Sequence, residues 1–306
     1  DQTSIPRSTV AEVYNTIISD VEKGINLLTE VNATGSKFRI GISTAHLLAS
    51  RYYLFMENWE KVVEHATAVF SAPGNSYSLF DMTNVNYPNA INTGGFPHPF
   101  TLNNPEILFF YASEEEHEVV TSDYYAKCFM ASDQLRNCYS NEDQRWNGYL
   151  CPYGEAGDEK KSSKFARELK FGACLRLSEA YLNRAEAYAN LAKIGGNEYF
   201  GKALSDLNTI REKRIKNYAS QAWTNSTFNN NADNLIENCR EERRREFCFE
   251  GMRWFDLRRY GMQSFSHRLD ESTNPGDEHS VEIGTATPKW MLPIMQHHKE
   301  SNPALN

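Results

Sequence analysis

The stretch Cys239-Arg240-Glu241-Glu242-Arg243-Arg244-Arg245-Glu246-Phe247-Cys248-Phe249-Glu250-Gly251-Met252-Arg253-Trp254-Phe255-Asp256-Leu257-Arg258-Arg259 decides how this chain is read. Its acids and bases recur at spacings of three and four, which on a helix sets up cross-turn ion pairs. Glycine takes left-handed backbone at little cost and is enriched just past helix ends, so Gly251 and Gly261 predict two helix termini. Three consecutive arginines, 243–245, suit an anion or a nucleic acid. Their alternation with Glu241, Glu242, Glu246 and Glu250 predicts instead a structural ion-pair network. Phe247, Phe249, Trp254 and Phe255 beside it read as core.

Working outward, the first helix is announced by Thr9-Val10-Ala11-Glu12, a capping box in which hydroxyl and carboxylate each satisfy an orphan backbone N–H. Val10, Val13, Tyr14, Ile17, Val21, Ile25 and Leu28 then share one helical face. Two more helices follow, one marked by Ala45, Leu48, Ala49, Tyr52 and Phe55, the next by Trp59, Val62, Val63, Ala66, Val69 and Phe70. Glu57-Asn58 is the tight turn between them, and the small Ala49 and Ala66 let the backbones approach. A helix pair of this kind is the unit of a tetratricopeptide-like repeat. A second pair is predicted from Leu177, Tyr181, Leu182, Ala185, Tyr188 and Ala189, with Ala203, Leu204, Leu207 and Ile210 across Gly195-Gly196-Asn197. The expected fold is therefore mostly α, tetratricopeptide-like helix pairs interrupted by a large loop-rich insertion. Within a single region 1–306, residues 8–71 are a helical repeat part, 73–166 the insertion, 175–216 the second helix pair and 235–306 the segment that carries the opening stretch.

The insertion has little periodicity between Pro73 and Glu106, where Gly, Pro and Asn punctuate the chain; long loops in compact domains are usually functional or disordered. Ile107-Leu108-Phe109-Phe110-Tyr111 predicts a short buried strand. Further irregular stretches run from Asn141 to Lys164 and from Tyr218 to Asp233. Aromatics in such loops are the best clue to binding, because the apolar face of a sugar ring stacks on Trp and Tyr. The candidate ligand-binding residues are Trp146, Tyr149, Tyr153, Tyr77, Tyr87, Phe96 and Trp223. Each one anchors its own loop as readily as it touches ligand.

Several functions are disfavoured. The net charge of −8 argues against a nucleic-acid binder, which needs a basic face. The six cysteines, Cys128, Cys138, Cys151, Cys174, Cys239 and Cys248, include no Cys-x-x-Cys pair, so zinc and thioredoxin-type readings fail on spacing and buried free thiols are expected. No stretch approaches the length of a membrane span. No metal-binding, nucleophile-elbow or phosphate-loop motif occurs, and no cofactor is expected. A glycosidase needs only two placed carboxylates; Glu114-Glu115-Glu116 and Asp143 are nominal candidates, though acid runs on loops are usually just solvated.

The opening stretch resembles the C-terminal signature of the SusD/RagB family: Glu-Arg-Arg-x-Glu, an apolar pair, Glu-Gly-x-Arg-Trp, then Asp-Leu and basic residues. Three further segments are similar, in the same order: Pro6 to Tyr14, Leu175 to Ala187, and Trp290-Met291-Leu292-Pro293-Ile294 followed by Asn302-Pro303. Met295 stands where the family pattern has a proline. The resemblance implies a SusD-like α-helical fold and a non-catalytic, lipid-anchored cell-surface protein of Bacteroidota. It would capture oligosaccharide at the outer membrane for a TonB-dependent, SusC-like transporter, and the membrane would be touched only through a lipid anchor absent from this chain. It also implies a longer protein, of which residues 1–306 are the C-terminal part. Other readings are a SusD-like protein for peptide or another nutrient, one that serves mainly as a transporter lid, and an all-α carbohydrate-active enzyme.

Overall fold

A computed structural model describes residues 5–87, 97–111, 131–153, 159–162, 164, 173–196, 198–270, 278–291, 293–302 and 304. Helix α1 (Val10–Glu30) starts with the expected capping box, the Thr9 backbone N–H donating to Glu12 Oε2 at 2.7 Å and the Glu12 N–H to Thr9 Oγ1 at 3.2 Å. Its face is buried only at Ile25, with Ile18, Val21 and Leu28 packed alongside; Val10 and Val13 remain 72% and 46% exposed. Helices α2 (Ile42–Phe55) and α3 (Trp59–Ser71) form the first hairpin. Glu57 turns the chain in left-handed backbone, and Asn58 caps α3 by accepting from the Lys61 N–H at 3.3 Å. Ala49 and Ala66 are fully buried, in line with close approach of the two backbones.

Strand β1 (Ile107–Tyr111) follows the loop as expected, and the short helices α4 (Asp133–Arg136) and α5 (Arg145–Gly148) come next. The stretch 141–164 is less irregular than its sequence suggests: β2 (Leu150–Tyr153) and β3 (Glu159–Ser162) pair antiparallel. Their run Glu-Lys-Lys-Ser carries no apolar alternation to announce a strand. Strand β4 (Ala173–Arg176) pairs antiparallel with β1 and leads into α6 (Leu177–Lys193).

Helix α6 is the centre of the molecule, packing against α2, α3, α7 (Glu198–Glu212) and α8 (Ala232–Glu246). Alanines at 180, 185, 187, 189 and 192 keep it thin enough for neighbours on every side. Its buried polar groups are all matched. Glu179 takes Arg51 through two bonds of 2.5 and 2.6 Å, Asn183 bridges Ser50 and Arg243, and Glu186 takes Arg259 at 2.5 and 2.7 Å. Burial of this kind is tolerated because every charge is paired and hydrogen-bonded.

Helix α8 ends at Glu246, not at Gly251 as the glycine suggested. The Glu246 carbonyl is turned to two cations, Lys164 Nζ at 2.8 Å and Arg176 Nη2 at 2.7 Å, and the last helical bond is Phe247 N–H to Arg243 O. Residues 247–251 form a turn with Phe249 in left-handed backbone (φ 59°), a conformation costly for a bulky residue. Helix α9 (Arg253–Arg259) does end two residues before Gly261, which follows the cap Tyr260 and has φ 94°. Phe247 is core and Phe249 and Trp254 are partly covered, but Phe255 is 54% exposed, on the solvent side of the two-turn α9. The chain closes with β5 (Phe265–Asp270) paired to β6 (Glu278–Ile283) and α10 (Gln296–Ser301). Trp290 is fully buried against Trp254 and Phe265. Cys138, Cys174, Cys239 and Cys248 are free thiols, three of them buried. Among the described residues no helix is long and apolar enough to cross a membrane.

Candidate functional site

The arginine–glutamate stretch builds the support on which the irregular segments rest. One side of α8 presents Glu242 and Glu246, both fully buried. Glu246 accepts from Arg145 (3.0 Å), Arg176 (2.5 Å), Arg214 (2.9 Å) and the Tyr149 hydroxyl (2.8 Å). Arg176 and Arg214 also share Glu106, at 2.9 and 2.8 Å, and Glu250 joins through Lys164 and Arg176. Glu242 takes Arg145 at 2.6 Å and Arg245 at 2.8 Å, and Asp143 holds Arg145 from the other side. The adjacent Arg243 turns the opposite way, to Asp256 and Asn183. Burial alone would raise the pKa of these carboxyls, but the surrounding guanidinium groups outweigh it. They hold Glu246 well below the usual carboxylate range and bring Glu242 to about 2.

This network clamps two irregular segments together. Residues 140–149 are tied to 213–218 by the Asp143–Ile215 bridge, by Gln144 N–H to Arg214 O (2.8 Å) and by Lys216 N–H to Glu142 O (3.0 Å). Trp146 sits half-buried on the first segment, 5.7 Å from Tyr139 ring to ring, with the Arg136 guanidinium 5.8 Å from its centroid. The Tyr139 hydroxyl donates to Arg245 O at 2.8 Å, and Arg245 Nη1 donates to Cys138 O at 2.9 Å. Arg245 also lies 6.0 Å from the Trp223 ring, which is half-buried, edge-on to Phe228 and stacked beneath Arg211 at 3.6 Å. Asn208 fixes the Trp223 backbone through both its N–H and its carbonyl. Trp146 and Trp223, 77 positions apart in sequence, are therefore the two ends of one ridge of contacts that runs through Tyr139 and the buried Arg245.

The other candidates go elsewhere. Tyr149 is 1% exposed, its hydroxyl spent on Glu246 and its face under Lys164 at 4.2 Å, so it is an anchor of the network. Tyr87 is core, 7% exposed and packed with Met82, Phe100 and Ile107. Neither offers a ring face to a ligand. Tyr77 packs on a different part of the core, over Leu47, Val69 and Leu108. Tyr153 ends β2, its backbone paired with Glu159, and Phe96 lies outside the described residues. Glu114, Glu115 and Glu116 lie outside them too, whereas Asp143 has both oxygens taken by Arg145. Sequence reasoning missed Tyr139, Arg136 and Arg211, which carry no periodic or motif signal. A narrow crevice with room for little more than a water molecule is lined by Arg51, Tyr111, Cys174, Glu179 and Glu250, and its Arg51 and Glu179 are paired to each other.

Comparison with known proteins gives one consistent answer. The family model described as the SusD family matches residues 83–306. No curated protein matches the chain. Among solved structures, a SusD-like carbohydrate binding protein from Bacteroides vulgatus ATCC 8482 superposes with a TM-score of 0.67 at 20% identity, covering 98% of this chain and 66% of that one. A SusD superfamily protein from Bacteroides thetaiotaomicron VPI-5482 gives 0.68 at 24% identity, with the same coverages. Another from Bacteroides fragilis gives 0.65 at 24% identity, over 100% of this chain and 66% of that one. The chain thus spans just under two thirds of the length of these relatives, and the likeness at such identities is one of fold. The match over residues 83–306, on a helical scaffold shared with these structures, shows that this chain belongs to the SusD family.

Proposed function

We propose that this chain is part of a cell-surface nutrient-binding protein that holds an oligosaccharide, without chemical change, on the ridge between Trp146 and Trp223. It then hands the ligand to a TonB-dependent, SusC-like transporter in the outer membrane, where the whole protein is lipid-anchored. The observation that carries the binding reading is that two partly exposed indoles in irregular segments are linked through Tyr139 and Arg245 to one rigid charged support. Indole faces suit the C–H face of a pyranose, and a fixed platform spares the entropy of ordering it on binding. Membership of the SusD family, with a relative described as carbohydrate binding, supports the ligand class.

The test is calorimetric titration against a glycan panel with Trp146→Ala and Trp223→Ala. Each variant is expected to lose about 1 kcal/mol of binding, roughly fivefold in affinity, while keeping a cooperative melt. Saturable binding that survives both substitutions would remove the ridge from the account. Saturable binding of peptides but of no glycan would favour the peptide-nutrient reading, and turnover of a bound glycan would favour an enzyme.

A further inference from the structure

Six cations and five carboxylates meet in the buried network among the described residues: Arg145, Arg176, Arg211, Arg214, Arg245 and Lys164 against Asp143, Glu106, Glu242, Glu246 and Glu250. The excess positive charge has a location. Arg145, Arg176 and Arg214 each make several short bonds to carboxylates. Arg211, only 7% exposed, reaches Glu242 at a long 3.4 Å, and that carboxylate is already shared by Arg145 and Arg245. Arg211 Nη2 donates to Gln221 O at 3.2 Å, and its Nε is buried with no acceptor at all. A second donor, the Tyr218 hydroxyl, is likewise buried without a partner. Both belong to the corner of the ridge where the Trp223 ring stacks on Arg211. Buried donors are almost always paired, so two in one corner mark a place for a ligand.

Resting on the binding role proposed above, we infer that Arg211, Tyr218 and Trp223 form an anion subsite, and that the oligosaccharide this ridge takes is acidic, carrying uronate carboxylates. A carboxylate supplies what the corner lacks: acceptor oxygens for Arg211 Nε and the Tyr218 hydroxyl, and a negative charge against the surplus cation. The sugar ring that bears it has the indole to lie against. Electrostatics agree with the geometry. Burial pushes the Arg211 pKa down, with Arg145 and Arg245 pushing the same way and Glu242 opposing, whereas Arg145, Arg176 and Arg214 are all held above their ordinary value. Burial raises Tyr218 to about 12, so its hydroxyl is a donor at neutral pH. Arg211 meets the Tyr218–Trp223 segment through Gln221 O and the Trp223 ring, and Ala219, Ser220 and Ala222 of that segment are exposed, so the corner lies just beneath a surface turn.

Calorimetry on the whole chain with uronate trimers (galacturonate, glucuronate, mannuronate) and neutral trimers (maltotriose, cellotriose) tests this, using Tyr218→Phe as the gentle variant. Wild type is expected to bind at least one uronate trimer about tenfold or more tighter than any neutral trimer, with affinity falling as salt is added. Tyr218→Phe should leave the melting temperature unchanged or higher, because the hydroxyl it removes has no partner to lose. The same variant should weaken the uronate about fivefold or more and leave neutral trimers untouched. Neutral trimers binding as well as uronates, or uronate binding indifferent to Tyr218→Phe, would overturn the anion subsite and leave glycan capture standing. Absence of binding to every trimer would overturn both.

Discussion

Helices α1 and α8 exchange the roles their sequences suggest. Val10–Glu30 has a clean apolar stripe and a capping box, yet it buries one residue. Ala232–Glu246 is dominated by Arg, Glu and Asn, yet it buries seven, including Glu242, Arg243, Arg245 and Glu246. An apolar stripe shows only that a helix has a face to cover; how much is covered depends on what packs against it. A charged helix goes to the interior where other segments bring the opposite charges, here Arg145, Arg176 and Arg214 from three separate parts of the chain. Between these two helices, burial follows pairing more closely than hydropathy.

The largest effect on that comparison is expected from Glu246→Gln. It keeps size but leaves Arg145, Arg176 and Arg214 short of a shared charge, and breaking a buried network from one side costs about 3–5 kcal/mol. Urea unfolding should show the midpoint collapse; a change under about 1 kcal/mol would mean that the network is not the support of the core. Acid comes next. Glu242 is depressed when folded, so its contribution is fully present above the ordinary carboxylate value. It is lost as pH falls from there through about 2, on the order of 3 kcal/mol in all. A melting temperature that stays flat across that window would contradict the pairing. At the other end, Val13→Ser on the exposed half of α1 should change stability by less than about 0.5 kcal/mol, and a large loss would show that this face is covered in solution.

What the chain discloses before folding follows the same division. Local features were legible: the Thr9–Glu12 box, the Glu57-Asn58 turn, both helix hairpins and strand Ile107–Tyr111 all rest on short-range spacing. The charged stretch 239–259 was legible as ion pairs and as a family signature, but not as buried, because its charge partners lie as much as 101 residues away, at Arg145. The site was half legible. Trp146 and Trp223 stood out as loop aromatics, but the link between them runs through Tyr139 and Arg245, which nothing local connects. Tyr149 looked like its neighbour Trp146, and only the hydroxyl's bond to Glu246 places it inside. Helix α8 stops short of its expected end for a similar reason, since Lys164 and Arg176 capture the Glu246 carbonyl from afar.

Native-state amide hydrogen exchange tests the central claim most directly, because it reads the stability of each helix separately. The amides of residues 236–246 are expected to exchange only through global unfolding, while those of residues 14–20 exchange orders of magnitude faster through local opening. Exchange in α8 as fast as in α1 would contradict the account: it would mean that the charged helix is a surface element and that its paired charges do not brace the ridge.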